Sequence, residues 1–181
     1  TKEPIKDGIT VLIYCRVQFD ALYGLSLRII DIDPLFTLGE LEKERLDTIR
    51  KIKEEGIWDK NKRLALPLLP QRLAIISVET SKGYSDFMNI IHQDKQPYKL
   101  FTMLFPSLLQ GANVVESLLI ALDAIETVKD HFDAVLIIRG GGGDIGLACY
   151  NNYELVKRIA TYPLPILTGI GHSTNETVSE M

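Results

Sequence analysis

The chain has 181 residues, 46% hydrophobic and 24% charged, with a formal net charge of −4. That length and apolar content allow one good core, or one core plus a small appendage, and exclude a disordered or fibrous chain. The acidic balance lacks the basic excess of a whole-domain phosphate reader, two distant cysteines (Cys15 and Cys149) exclude a disulfide framework or a zinc knuckle, and no segment has the apolar length needed to span a bilayer.

The start, Thr1-Lys2-Glu3-Pro4, has no signal-peptide character, and reduced thiols and a cytoplasmic location are expected. Ile9 to Phe19 and Leu25 to Ile32 are β-rich runs separated by Asp20-Ala21-Leu22-Tyr23-Gly24, which predicts a hairpin. A lone hairpin is barely stable in water, so it is expected to be the edge of a small β domain lying before residue 1. Asp33-Pro34 breaks the strand pattern. Thr37-Leu38-Gly39-Glu40 has capping-box spacing, and Leu38, Leu41, Ile49 and Ile52 recur at helical intervals up to Gly56. Arg50, Lys51, Lys53, Lys60, Lys62, Arg63 and Arg72 form a basic stretch diluted by Glu54, Glu55 and Asp59, a mixture that reads as a solvated helix face. Leu64 to Pro70, with two prolines, predicts an extended linker.

A regular alternation follows. Leu73 to Val78 is strand-like, and Ser81 can cap a helix carrying Tyr84, Phe87, Met88 and Ile91. Tyr98 to Phe105 is a second strand, Ala112 to Lys129 a helix, Ala134 to Ile138 a third strand, Tyr153 to Ala160 a helix and Leu164 to Thr168 a fourth strand. The pattern predicts an α/β fold: a mostly parallel sheet with helices on both faces, joined by right-handed crossovers. In such a sheet ligands bind outside the carboxyl ends of the strands. That rim consists of Glu79 to Asp86, Pro106 to Gly111, Arg139 to Asp144 and Gly169 to Asn175.

Arg139 and the glycines Gly140 to Gly143 stand directly behind the third strand. Backbone without Cβ atoms lets an anion approach its N–H groups, and the arginine adds a planar fork that fits a phosphate; a glycine run is equally common as a plain tight connection. His172, in a Gly-x-Gly-His turn, can move a proton or hold a phosphate, whereas a lone histidine often has only a structural role. Asp86 is either a solvent-facing acid near a helix start or an active-site carboxylate. Thr80-Ser81-Lys82-Gly83 lacks the spacing of a nucleotide P-loop, neither glycine cluster fits the dinucleotide pattern, and no ligand set has metal spacing; no cofactor is required by these residues, and a divalent ion is not indicated.

Several ordered motifs resemble the large subunit of exodeoxyribonuclease VII. They are Asp31-Ile32-Asp33-Pro34, Phe36-Thr37-Leu38-Gly39, Glu55-Gly56 with Asp59, Asn61 and Lys62, Leu66-Pro67 to Pro70-Gln71-Arg72, and Thr80-Ser81 with Asp86. Phe105-Pro106 with Gln110-Gly111, Arg139 to Gly142, Asn152-Tyr153-Glu154-Leu155, and Thr168 to His172 complete the series. The resemblance implies an enzyme that degrades single-stranded DNA from either end to 5′-phosphorylated products, with no strict need for a divalent ion. It also implies that residues 1–34 are the last strands of an OB-fold, that 35–181 are a nuclease domain, and that a helical region beyond Met181 recruits a small subunit. Position by position, the family's functional residues fall on Asp86, Arg139, His172 and Asn175, with Thr80, Ser81, Gln110, Gly140, Gly141 and Gly142 toward the substrate phosphates. The family has aspartate where this chain has Asn175; asparagine accepts a hydrogen bond but is no general base, so Glu176 or Glu180 is a candidate substitute. The alternative from another class is a non-catalytic domain that binds nucleotide or single-stranded nucleic acid at the same anion site.

Overall fold

Asp33-Pro34 is where the chain changes from strand to helix. The computed structural model describes residues 11–92, 98–111, 113–140, 144–170 and 176–181. Strands β1 (Leu12–Asp20) and β2 (Gly24–Asp33) pair antiparallel, with a bulge between Tyr14 and Cys15. The Asp20 carboxylate accepts from the backbone N–H groups of Leu22 and Tyr23, and Gly24 takes a positive φ of 75°, which closes the hairpin. Side chains on both faces of the hairpin are exposed, Leu22, Tyr23 and Phe19 most among the large apolar ones.

Helix α1 (Pro34–Glu54) starts four residues earlier than a Thr37 cap predicts. Proline suits the first helical position because its missing N–H has no partner to lose, and Asp33 Oδ1 accepts from Phe36 N at 3.4 Å. Thr37 therefore lies inside the helix rather than at its cap. Gly56, at φ +67°, ends it as expected.

The remaining elements are β3 (Arg72–Ser77), α2 (Lys82–Ile91), β4 (Phe101–Pro106), α3 (Val114–Thr127), β5 (Ala134–Ile138), α4 (Tyr153–Ala160) and β6 (Ile166–Gly169), with 3₁₀ segments at Lys129–His131 and Asp144–Asn151. The four later strands form one parallel sheet in the order β4-β3-β5-β6. Because β4 lies on one side of β3 and β5 on the other, right-handed crossovers put α2 on one face and α3 with α4 on the opposite one. On that opposite face Ala74, Ile76, Val135 and Ile137 pack with Val114, Leu118 and Leu122 of α3 and Leu155 and Ile159 of α4. Ile75, of the other parity, is fully buried too, so β3 is covered on both faces.

Two polar devices fix the amino end of the sheet. Asp133 accepts from the N–H groups of Gln71 and Arg72 (both 2.9 Å) and pairs with the Arg72 guanidinium at 2.6 Å. The Arg72 hydrogen bond, helped by Gln71 N–H, lowers the Asp133 pKa to about 2. Asn61, beyond α1, donates to Tyr162 O (3.2 Å) and Leu164 O (2.9 Å) and accepts from Ile166 N (3.0 Å), which ties the chain after α1 to the start of β6. A second tie joins α1 to α4, where Glu55 receives a hydrogen bond from Tyr153 and pairs with Lys157 at 2.9 Å.

Candidate functional site

The strand order sets where a ligand site belongs. The chain turns left from β3 to β4 and right from β4 back to β5, so the connections following β3 and β5 diverge to opposite faces and leave a crevice between their carboxyl ends. Ser77 ends β3 and Ile138 ends β5, and the two strands are joined there by Ser77 Oγ donating to Ile138 O at 2.8 Å. Ser77 Oγ also lies 3.1 Å from Ser81 Oγ. Ser81 in turn caps α2, its Oγ accepting from Tyr84 N at 3.2 Å. A short hydroxyl chain thus connects the end of β5, the end of β3 and the start of α2.

Glycines let these pieces touch. A Cβ on Gly83 would stand 2.8 Å from Gly140 N, and one on Gly140 would stand 2.6 Å from Gly83 N. Backbone therefore meets backbone where α2 begins and the β5 loop departs, a contact no larger residue allows. The first N–H groups of α2 carry the positive end of the helix dipole to this point.

Arg139 is the charged centre of the arrangement. Its backbone N–H donates to Gly169 O at 2.9 Å, locking the exits of β5 and β6 together. The side chain is only 5% exposed, with its guanidinium carbon 5.8 Å from the centroid of the Tyr150 ring. Nε and Nη2 are buried without a hydrogen-bond partner among the described residues. Unsatisfied buried donors on a permanent cation are costly, and an anion accepting from both removes that cost. Tyr150 is itself fully buried, and desolvation raises its hydroxyl pKa well above the ordinary value; the charge on Arg139 opposes that shift only in part.

The candidate residues divide into three groups. Ser81, Arg139 and Gly140 are brought together. Thr80 and Gln110 are exposed in the loops after β3 and β4, Asp86 is exposed on α2, and among the described residues no hydrogen bond or ion pair joins any of the three to Arg139. Gly141, Gly142, His172 and Asn175 lie outside the described residues. Of the substitute acids, Glu176 is exposed, whereas Glu180 is engaged: it accepts from Ile170 N at 3.3 Å and from Thr177 N and Oγ1, both at 2.9 Å. Its carboxylate thereby joins the chain just after β6 to residue 177. Among the described residues no group of three or more His, Cys, Asp or Glu side chains is gathered as for a metal ion, and no helix is long and apolar enough to cross a membrane.

Ser77, Gly83 and Tyr150 are the contributors that sequence patterns did not single out. Ser77 is a polar residue closing an otherwise apolar strand, which is a usable signal; the stacking of Tyr150 depends on the 3₁₀ segment Asp144–Asn151, which has no periodicity to announce it.

Residues 57–181 match the family described as exonuclease VII, large subunit. Over 180 residues the chain is 31% identical to the exodeoxyribonuclease 7 large subunit of Deinococcus radiodurans, an alignment covering 96% of this chain and 42% of that protein. The large subunit from Lacticaseibacillus casei is 30% identical, covering 97% and 38%, and that from Campylobacter fetus subsp. fetus is 29% identical, covering 99% and 45%. The chain thus spans about two fifths of the length of these relatives.

Proposed function

Because this chain belongs to the exonuclease VII large-subunit family, we propose that it carries the catalytic portion of a nuclease. This nuclease hydrolyses phosphodiester bonds of single-stranded DNA from either end and leaves 5′-phosphorylated products. The observation that supports this most is Arg139, a buried guanidinium with two nitrogens that have no hydrogen-bond partner among the described residues, on the residue next to the Gly140 contact with the start of α2. Buried donors of this kind suit a phosphoryl group, because donors fixed in place stabilise developing negative charge without reorganising when it appears.

Hydrolysis requires charge stabilisation on the phosphoryl oxygens, an in-line water and a proton for the departing 3′-oxygen. In this proposal Arg139 and the backbone N–H groups of Gly140 to Gly142 hold the phosphoryl oxygens, with Thr80, Ser81 and Gln110 positioning the neighbouring phosphate. His172 delivers the proton, and Asp86 orients the water or His172. Asn175 accepts a hydrogen bond that aligns a partner. The β1–β2 hairpin is the end of an OB-fold that guides the strand, a small subunit binds through a region beyond Met181, and the enzyme works in the cytoplasm.

Arg139→Ala in the full-length protein assembled with its small subunit tests the assignment. Turnover of labelled single-stranded DNA is expected to fall roughly 10²- to 10³-fold; near-normal turnover removes Arg139 from the chemistry. Asn175, where the family has an acid, favours one alternative, a domain that binds single strands without cutting them. Retention of the labelled strand by the wild-type assembly with no shortening identifies that case.

A further inference from the structure

The basic stretch after α1 is not a solvated helix face throughout. Gly56 turns the chain out of α1, and Trp58 then packs against Ile52 of α1 and Val156 of α4, half-buried. Lys53 Nζ lies 4.8 Å and Lys62 Nζ 5.4 Å from the indole. Beside it opens a cavity of about 460 Å³ lined by Lys53, Gly56, Trp58, Asp59, Lys60 and Arg63. Arg63 has Asp59 as an ion partner at 3.6 Å, whereas Lys53, Lys60 and Lys62 have no carboxylate within pairing distance among the described residues. On a chain of net charge −4, two ammonium groups over one indole and a third, Lys60, lining the cavity beside it, none paired among the described residues, form a local positive site.

A separate, narrower cavity of about 90 Å³ also has Trp58 in its lining, together with Lys62, Ile166 and Thr168.

We infer that the Trp58 cavity is a subsite for single-stranded nucleic acid, one unpaired base displacing a lysine ammonium from over the indole to stack there while adjacent phosphates draw Lys53, Lys60 and Lys62 onto themselves. Aromatic stacking joined to a cationic groove is the physical signature of single-strand binding, and a base inside a duplex has both faces covered by its stacked neighbours. The polymer's identity rests on the proposed function; the subsite itself is read without any cleavage.

Trp58 is the sole tryptophan of these 181 residues, and the emission lost on Trp58→Leu isolates its signal from any other tryptophan of the assembly. Titration with a short oligothymidylate is expected to quench the emission saturably, with no comparable change from a fully abasic oligomer of equal length, from a blunt duplex or from thymidine monophosphate. Lys53→Ala and Lys60→Ala, at exposed positions, each lower the slope of log affinity against log salt by about 0.7. Trp58→Leu, which keeps an apolar side chain against Ile52, weakens binding of a labelled oligomer roughly tenfold by anisotropy. Oligomer binding with unchanged emission overturns the subsite, as do equal quenching by the abasic polymer or the mononucleotide, lysine variants with wild-type salt slopes, or no binding at all. Saturable quenching by the wild-type assembly without shortened products instead preserves the subsite and refutes the nuclease.

Discussion

Replacing Gly140 with alanine adds a carbon 2.6 Å from Gly83 N, where ordinary contact begins near 3.4 Å. The shortfall of about 0.8 Å must be met by moving backbone, since no flexible side chain stands on either side of the contact. Overpacking of this kind costs about 1–3 kcal/mol. Gly140 follows Arg139 directly, so the same movement displaces the guanidinium, and misplacement on the scale of 1 Å costs up to about 10²-fold in rate. Gly83→Ala presses on the same contact from the other side, at 2.8 Å from Gly140 N. Its net destabilisation is smaller, because alanine within α2 recovers up to about 1 kcal/mol of helix propensity. Once either methyl has separated the two backbones the second finds room, so the double variant is destabilised by clearly less than the sum of the singles. Urea midpoints at constant m-value measure the stability arm, and strand cleavage by the assembled enzyme measures the other. A Gly140→Ala protein with wild-type midpoint and turnover, or strictly additive singles, refutes the claim that this contact sets the site.

Asn61→Ala removes three hydrogen bonds between the segment after α1 and the start of β6 and leaves backbone groups to find water; thermal unfolding is expected to show a loss of about 2–4 kcal/mol. Asp133 has a pKa held near 2 by Arg72, so its contribution is complete above about pH 4 and is lost as pH falls through 2. Asp133→Asn is therefore less stable at neutral pH and shows a flatter stability profile between pH 4 and 2, measured by urea midpoints across that range. Tyr150→Phe deletes a buried hydroxyl that has no partner among the described residues and keeps the ring beneath Arg139, so its melting temperature is expected to equal or exceed wild type. A clear drop would show that the hydroxyl is bonded after all.

Much of the fold was legible because it is written in local pattern. The apolar run Ala134–Ile138 and the amphipathic Tyr153–Ala160 occupy the residues that sequence periodicity assigns them, and Ser81 caps the helix it was expected to cap. Parallel pairing followed from the alternation of elements. The boundaries that moved did so where two local signals compete: Pro34 at the first helical position outweighed the Thr37 capping box, and β4 begins at Phe101 rather than Tyr98. Of the site, Arg139 and Gly140 were visible because they stand directly behind an apolar strand, at its carboxyl end. The mutual contact of Gly83 with Gly140, the ring of Tyr150 beneath the guanidinium and the gathering of lysines around Trp58 were not. Each joins residues distant in sequence or placed by irregular backbone, and no periodicity encodes such meetings.

Burial of the Arg139 guanidinium separates two kinds of electrostatics in one molecule. Mobile ions form their atmosphere in solvent and damp exposed charges over roughly 8 Å at physiological salt, but they crowd far less around a cation buried over a tyrosine ring. Rising ionic strength should therefore loosen the grip of the exposed lysines on a passing polymer while leaving the pull on a phosphate already seated at the crevice almost untouched, so that KM climbs and kcat holds.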